Sequence, residues 1–241
     1  MGWKVPILMY HSIKSVHRNE VMRSIHVSPR SFALQMRIIK ALDFKVCSVG
    51  DAIQRKKAGC KSRIIALSFD DAYENVYDTA LPILRKYGFS ATIYAVAGLV
   101  GSSNVWDLNS GISENTLMSE TQIRDCKAHG IEIGCHTHTH QSLIAFNCQL
   151  EQEILESKSA LEERFDSEIN NFCYPYGHYD DTIVKQVSDA GFKFGVTMDR
   201  GISNERDSEL LLPRIPITWH TLPHLFIAKI LTSYEDNRRV L

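Results

Sequence analysis

The chain has 241 residues, enough for one sizeable core and short for two. Hydrophobic residues make up 44% and charged residues 23%, the balance of an ordinary globular domain rather than of a disordered or fibrous chain. The formal net charge of -1 excludes a global field that would draw in nucleic acid or an anionic membrane.

No stretch approaches the roughly 20 apolar residues of a membrane span. The N-terminal apolar run is about half the minimum length of a signal-peptide core and is broken by Pro6. The six cysteines form no C-x-x-C pair, and several lie in apolar segments, as small core residues do. The expectation is one soluble domain over residues 1–241, with free thiols, in a reducing cytoplasmic compartment.

In chain order, apolar runs predict strands at Val5–Tyr10, Lys45–Ser48, Ile64–Phe69, Ala91–Ala95, Ile131–Cys135, Asn171–Tyr174, Phe192–Thr197 and Leu211–Ile217. Amphipathic stretches predict helices at Pro29–Leu42, Val49–Lys57, Tyr77–Tyr87, Glu120–Ala128, Leu150–Phe165, Asp180–Ala190 and Pro223–Leu231. Ser28 is placed to cap the first helix, with Pro29 at its first position. Gly88, Gly130 and Gly191 each close a helical stretch. The alternation predicts an α/β fold, and continuous apolar strands suit a parallel sheet buried on both faces. Seven or eight units in this length predict a compact, even incomplete, (β/α) barrel. Its chemistry is then expected where strands end.

Polar residues do gather there. The strand ending at Phe69 runs into Asp70-Asp71. Two carboxylates at the end of a buried strand need a partner, and a metal ion is one; a helix N-cap is the plainer reading of the same pair. The strand ending at Cys135 runs into His136-Thr137-His138-Thr139-His140, which holds three of the ten histidines. If a turn brings His136 and His140 together, imidazole and carboxylate suit zinc, cobalt or another first-row divalent metal. His138 points away by alternation. Tyr174-Pro175-Tyr176-Gly177 marks a fixed turn that can aim a backbone N–H. Trp106 and Asp107 lie in a long loop between Gly101 and Glu120, where a Trp face can stack on a sugar ring or pack beneath the loop.

Taken together, Ser68-Phe69-Asp70-Asp71, His136-Thr137-x-x-His140 and Tyr174-Pro175-Tyr176-Gly177, in that order, resemble the polysaccharide deacetylase (NodB-homology) family. Val5-Pro6-Ile7-Leu8-Met9-Tyr10-His11 and Leu212-Pro213-Arg214-Ile215-Pro216 extend the likeness over nearly the whole chain, toward the branch with poly-N-acetylglucosamine deacetylases. The resemblance implies hydrolytic removal of N-acetyl groups from an acetylated carbohydrate by a single divalent metal, zinc by expectation. It implies Asp70 as general base, Asp71, His136 and His140 as ligands, and the backbone N–H of Tyr176 as oxyanion donor. Three protein ligands leave a position open for water and the carbonyl oxygen. The family's usual histidine acid motif has no clean counterpart, which leaves His220 and His11 as candidate acids. Cys173 stands where many members carry an Arg that orients the base, and Arg214 is the candidate replacement. Ala72 stands where the family often has Gly. A related amidohydrolase, an O-deacetylase and a non-catalytic carbohydrate-binding domain are the competing readings. The intact Asp-Asp and His-x-x-x-His sets argue against the last.

Overall fold

The computed structural model describes residues 2–239. Its strands are β1 (Lys4–Val5), β2 (Ile7–Tyr10), β3 (Lys45–Cys47), β4 (Ile64–Phe69), β5 (Thr92–Ala95), β6 (Glu132–Cys135), β7 (Asn171–Cys173), β8 (Phe194–Arg200), β9 (Ser203–Asn204) and β10 (Leu212–Pro216). Seven of them, β2, β4, β5, β6, β7, β8 and β10, close into an all-parallel barrel through the β10–β2 and β2–β4 pairings. The helices α1 (Pro29–Ala41), α2 (Val49–Lys57), α3 (Leu81–Tyr87), α4 (Glu120–Ala128), α5 (Ser157–Phe165), α6 (Asp181–Asp189) and α7 (Pro223–Leu231) connect them. The predicted (β/α) barrel is therefore present, and it is closed.

Local chemistry explains the element ends. The Ser28 hydroxyl accepts from the Ser31 amide at 3.2 Å with Pro29 behind it, and Gly88, Gly130 and Gly191 take the left-handed conformation at helix ends. Phe32, Gln35, Met36 and Ile39 recur at helical spacing and bury the inner face of α1.

Four predicted elements differ. The first strand is broken at Pro6, which has no N–H to give a ladder. Before it, Lys4–Val5 pairs antiparallel with Ser203–Asn204; after it, Ile7–Tyr10 enters the barrel. The strand Lys45–Cys47 pairs with the first half of β4 and is not a stave. The helix predicted from Tyr77 opens with a π-spaced turn, Val76–Ala80, ahead of Pro82, whose ring nitrogen cannot donate back along the helix. A second π-spaced turn, Gln152–Glu156, precedes α5.

Period-two alternation sets the interior. Ile64 and Ala66 of β4 face inward with Ile7, Tyr94, Cys173, Phe194, Val196 and Leu212, while Ile65, Leu67 and Phe69 join the outer core under the helices. The first turn of α2 closes the N-terminal mouth: Val49 N–H donates to Thr92 Oγ1 at 2.9 Å and Gly50 N–H to the Glu132 carboxylate at 3.3 Å. With that end plugged, the candidate chemistry among the described residues gathers at the C-terminal mouth.

The interior has no spare room at Gly134. A Cβ there would lie 2.5 Å from the Tyr94 ring and 3.2 Å from the Asn171 carbonyl oxygen. Gly134→Ala is expected to destabilise the protein by about 1–3 kcal/mol through overpacking, read as a lower urea midpoint with an unchanged slope; a wild-type midpoint would show that the barrel interior yields freely.

Candidate active site

The inward series of β4 continues past Phe69. Ser68 and Asp70 point into the open mouth, and Asp70 is 2% exposed. Arg214 of β10, fully buried, reaches across to it, with Nη1 2.6 Å from Oδ1 and Nη2 2.8 Å from Oδ2. The guanidinium also donates from Nε to the Thr197 carbonyl at 2.8 Å, from Nη1 to Ser68 Oγ at 3.2 Å and from Nη2 to Cys173 Sγ at 3.4 Å. All five of its N–H donors are thus used. Burial alone would push the Asp70 carboxyl up, but Arg214, with His11 nearby, outweighs it and holds the group below its ordinary range.

After Asp70 the chain turns through two left-handed residues, Asp71 (φ 69) and Ala72 (φ 54), which send the next carboxylate sideways. Asp71 Oδ1 lies 3.4 Å from His136 Nε2 and 3.2 Å from His140 Nε2. A tetrahedral ion at about 2.0–2.1 Å from each donor sets ligand atoms about 3.3 Å apart, so the spacing fits. Asp71 Oδ1 is buried and accepts no well-formed hydrogen bond among the described residues, as an oxygen reserved for a cation would be. Burial would raise the Asp71 carboxyl; the two imidazoles pull it well below its ordinary range instead. Asp70, His136 and Cys173 form a second cluster of possible ligands, but the Arg214 cation already occupies both Asp70 and Cys173. A second cation there would be repelled.

The turn that brings the histidines together is built from left-handed Thr137 (φ 65) and His140 (φ 65), with Thr137 Oγ1 accepting from the His140 amide at 3.1 Å. His136 is oriented by its Nδ1, 2.8 Å from the Cys173 carbonyl, which leaves Nε2 free to ligate. His140 is oriented by packing: Trp106 stacks on it at 4.3 Å and Tyr176 meets it edge-on at 4.9 Å. His138 stands outside the ligand cluster.

The predicted site residues are gathered unevenly. His11, Trp106, Asp107 and Tyr176 line the same cavity of about 270 Å³ as Asp70, Asp71, His136 and His140. His11 Nε2 sits 3.7 Å from Asp70 Oδ2. Trp106 lines the cavity and stacks on the His140 ring. Tyr176 is left-handed (φ 58), and its amide bonds to no acceptor among the described residues. His220 is not brought in. It lies exposed on the turn after β10, where the Thr218 amide donates to Thr221 Oγ1 and the Thr221 amide to the Thr218 carbonyl, and its own Nδ1 contacts Thr218 Oγ1.

Sequence reasoning missed Glu153. It is 1% exposed, and its carboxylate accepts from the amides of His138 and Thr139 at 2.9 Å each and from the Thr139 hydroxyl at 2.5 Å. It lies in the π-spaced turn before α5, where the Ser157 hydroxyl donates to the Glu153 carbonyl at 2.7 Å. π-spaced turns often mark functional positions. An acidic residue at an apolar helix position was the available signal. Glu153→Ala is expected to weaken zinc or cobalt binding by roughly 10–100-fold, with Glu153→Gln intermediate, measured by metal titration of the folded protein. Wild-type metal affinity in Glu153→Ala would remove it from the support of the turn.

Residues 57–195, more than half of the chain, match the family model for polysaccharide deacetylase. A poly-beta-1,6-N-acetyl-D-glucosamine N-deacetylase of Staphylococcus aureus is 26% identical over 215 residues, covering 85% of this chain and 72% of the relative. The Streptococcus pyogenes deacetylase PplD, solved in complex with acetate, superposes with a TM-score of 0.81 at 26% identity, covering 95% of this chain and 99% of that one. A polysaccharide deacetylase from Bacillus cereus gives 0.80 at 25% identity, covering 95% and 69%.

Proposed function

Because the chain belongs to the polysaccharide deacetylase family, we propose that it hydrolyses N-acetyl groups of an acetylated sugar or polysaccharide precursor in a metal-dependent reaction. One observation carries this reading: a buried carboxylate held ionised by Arg214 stands beside a separate Asp-His-His donor set in one cavity. The S. aureus relative acts on an N-acetylated glucosamine polymer by its name, and PplD was solved with acetate, which is the product of such a reaction.

A divalent ion held by Asp71, His136 and His140 would polarise the acetyl carbonyl and acidify water. The chain's own residues do the rest. Asp70 Oδ2 takes a proton from the attacking water as the new C–O bond forms. The Tyr176 amide donates to the oxygen that gains negative charge. Arg214 keeps Asp70 ionised and fixed in its plane. His11, 3.7 Å from Asp70, gives a proton to the leaving nitrogen as the C–N bond breaks. Acetate and a free amine result. His11 is preferred to His220 as the acid because it alone of the two lines the cavity. Trp106 stacks on the sugar from the cavity wall, and Asp107 accepts hydrogen bonds from its hydroxyls.

The two aspartates are expected to fail differently. Asp70→Asn keeps metal content and sugar binding but lowers turnover by roughly 10²–10⁴-fold, the usual loss of general acid–base catalysis. Asp71→Asn lowers metal content itself, since a neutral amide is the poorer ligand. Metal analysis beside an acetate-release assay separates them; wild-type acetate release from Asp70→Asn would sink the mechanism. A wild-type protein that binds acetylated sugars without releasing acetate would be a binding domain.

Arg214 has its own signature. The cation depresses the Asp70 carboxyl, so its loss lets burial raise that group. The ionised base then survives only at higher pH. Arg214→Ala is expected to move the acidic limb of the pH–rate profile upward with metal content retained, and Arg214→Lys to move it less. An acidic limb unmoved in both variants contradicts the assignment.

A further inference from the structure

The cavity lies beneath two loops that meet. The first, 12–26, is an Ω-shaped excursion whose ends pair: Ser12 N–H donates to the Ile25 carbonyl at 3.1 Å and Val27 N–H to the Ser12 carbonyl at 2.9 Å. The second, 97–119, is strapped to the turn after β4, with Glu74 N–H donating to Thr116 at 2.9 Å and Met118 N–H to Ala72 at 2.8 Å. Both loops are anchored to that same turn, because Ile13 N–H donates to Asn75 Oδ1 at 2.6 Å. They also bond directly to each other, through Lys14 to Asn115 and Ser113 to Glu20. Asn115 is in turn held by the fully buried Asn104, whose Oδ1 accepts the Asn115 amide at 2.6 Å.

The two loops follow β2 and β5 and bond to the turn after β4, so the latch stands on the flank of the mouth above those strands. Exposed wall remains on the opposite flank, at Tyr176 and Met198, which are 44% and 45% exposed. The enclosed space is about 270 Å³, just under the range of about 300–1,000 Å³ that holds a drug-sized ligand. Its upper walls are apolar, with Met22 and Ile25 from the first loop, Trp106 and Ile112 from the second, and Met198 and Ile217 from the barrel rim. Such walls suit the C–H faces of one pyranose ring and an acetyl methyl group.

We propose that the latched loops make this a one-ended pocket, selective for a free or chain-terminal N-acetylated sugar ring over rings inside a polymer. A polymer bound at an internal ring must leave the site on two sides, and the Lys14–Asn115 and Ser113–Glu20 bridges bar one of them. The inference rests on the deacetylase reading and narrows its substrate.

The experiment uses the metal-loaded protein with methyl glycosides of N-acetylated hexosamines and with defined β-1,4- and β-1,6-linked N-acetylglucosamine pentamers. Acetate is counted, and its ring of origin is mapped by mass-spectrometric sequencing. The expected result is acetate from the single-ring glycosides and from one terminal ring of each pentamer. Loss of acetate from internal rings overturns the inference and leaves the deacetylase reading standing. Acetate from none of the sugars overturns both. The Lys14→Ala/Glu20→Ala double variant replaces no residue that lines the cavity of Asp70 and Asp71. It is expected to keep terminal-ring release and to gain internal-ring release, with Ser113→Ala a milder form of the same change. A strictly terminal pattern in both variants overturns the latch as the cause.

Discussion

A guanidinium sealed inside a barrel must have every donor satisfied, and the rest of the site depends on how Arg214 achieves this. A buried cation without partners carries a desolvation penalty of several kcal/mol, about as much as a domain's whole margin of stability. Arg214 finds its acceptors on three other strands or their ends: Thr197 on β8, Ser68 and Asp70 on β4, and Cys173 on β7. Ser68 completes the pattern by donating its hydroxyl to the Leu8 carbonyl of β2 at 3.0 Å. The network therefore fixes five staves relative to one another at the mouth. Such a fork recognises a carboxylate plane, so it sets the orientation of Asp70 as well as its charge.

Around that rigid centre, the remaining groups are placed by backbone strain. Of the eight non-glycine residues with positive φ among the described residues, five are Asp71, Ala72, Thr137, His140 and Tyr176. Each departs from the preferred conformation by an amount that ordinary loops avoid. Each also redirects a group that a regular strand end would have left pointing elsewhere: a carboxylate, an imidazole or an amide. Hydrogen bonds hold the turns. Glu153 anchors the histidine turn, and backbone pairing of 72–74 with 116–118 anchors the aspartate turn. Ala72 at φ 54, where the family often has Gly, is the clearest case of a side chain tolerated in a conformation that glycine adopts freely.

The cavity is consequently two-natured. Its floor is polar and determined by strand ends; its walls are apolar and determined by loops. The floor holds Asp70, Asp71, His136 and His140, while the loops shape the space above them.

By itself the sequence determined the barrel, the inward series that ends in Asp70 and His136, and the candidate ligand set. These follow from local rules: alternation, strand-terminal polar residues and cap chemistry act within a few positions of the chain. Arg214 was legible only as a compensation for Cys173, since 144 residues separate it from Asp70 and no pattern encodes that pairing. Tertiary structure alone brought His11, and not His220, to the cavity. Both follow a strand, but β2 lies beside β4 and delivers His11 to Asp70, whereas the threonine turn after β10 carries His220 into solvent. It also decided the place of Glu153, which reads in sequence as one more acid on a helix. The reason is the same in each case. Periodicity tells which way a side chain points from its own element, and only the packing of elements against one another tells what it meets there.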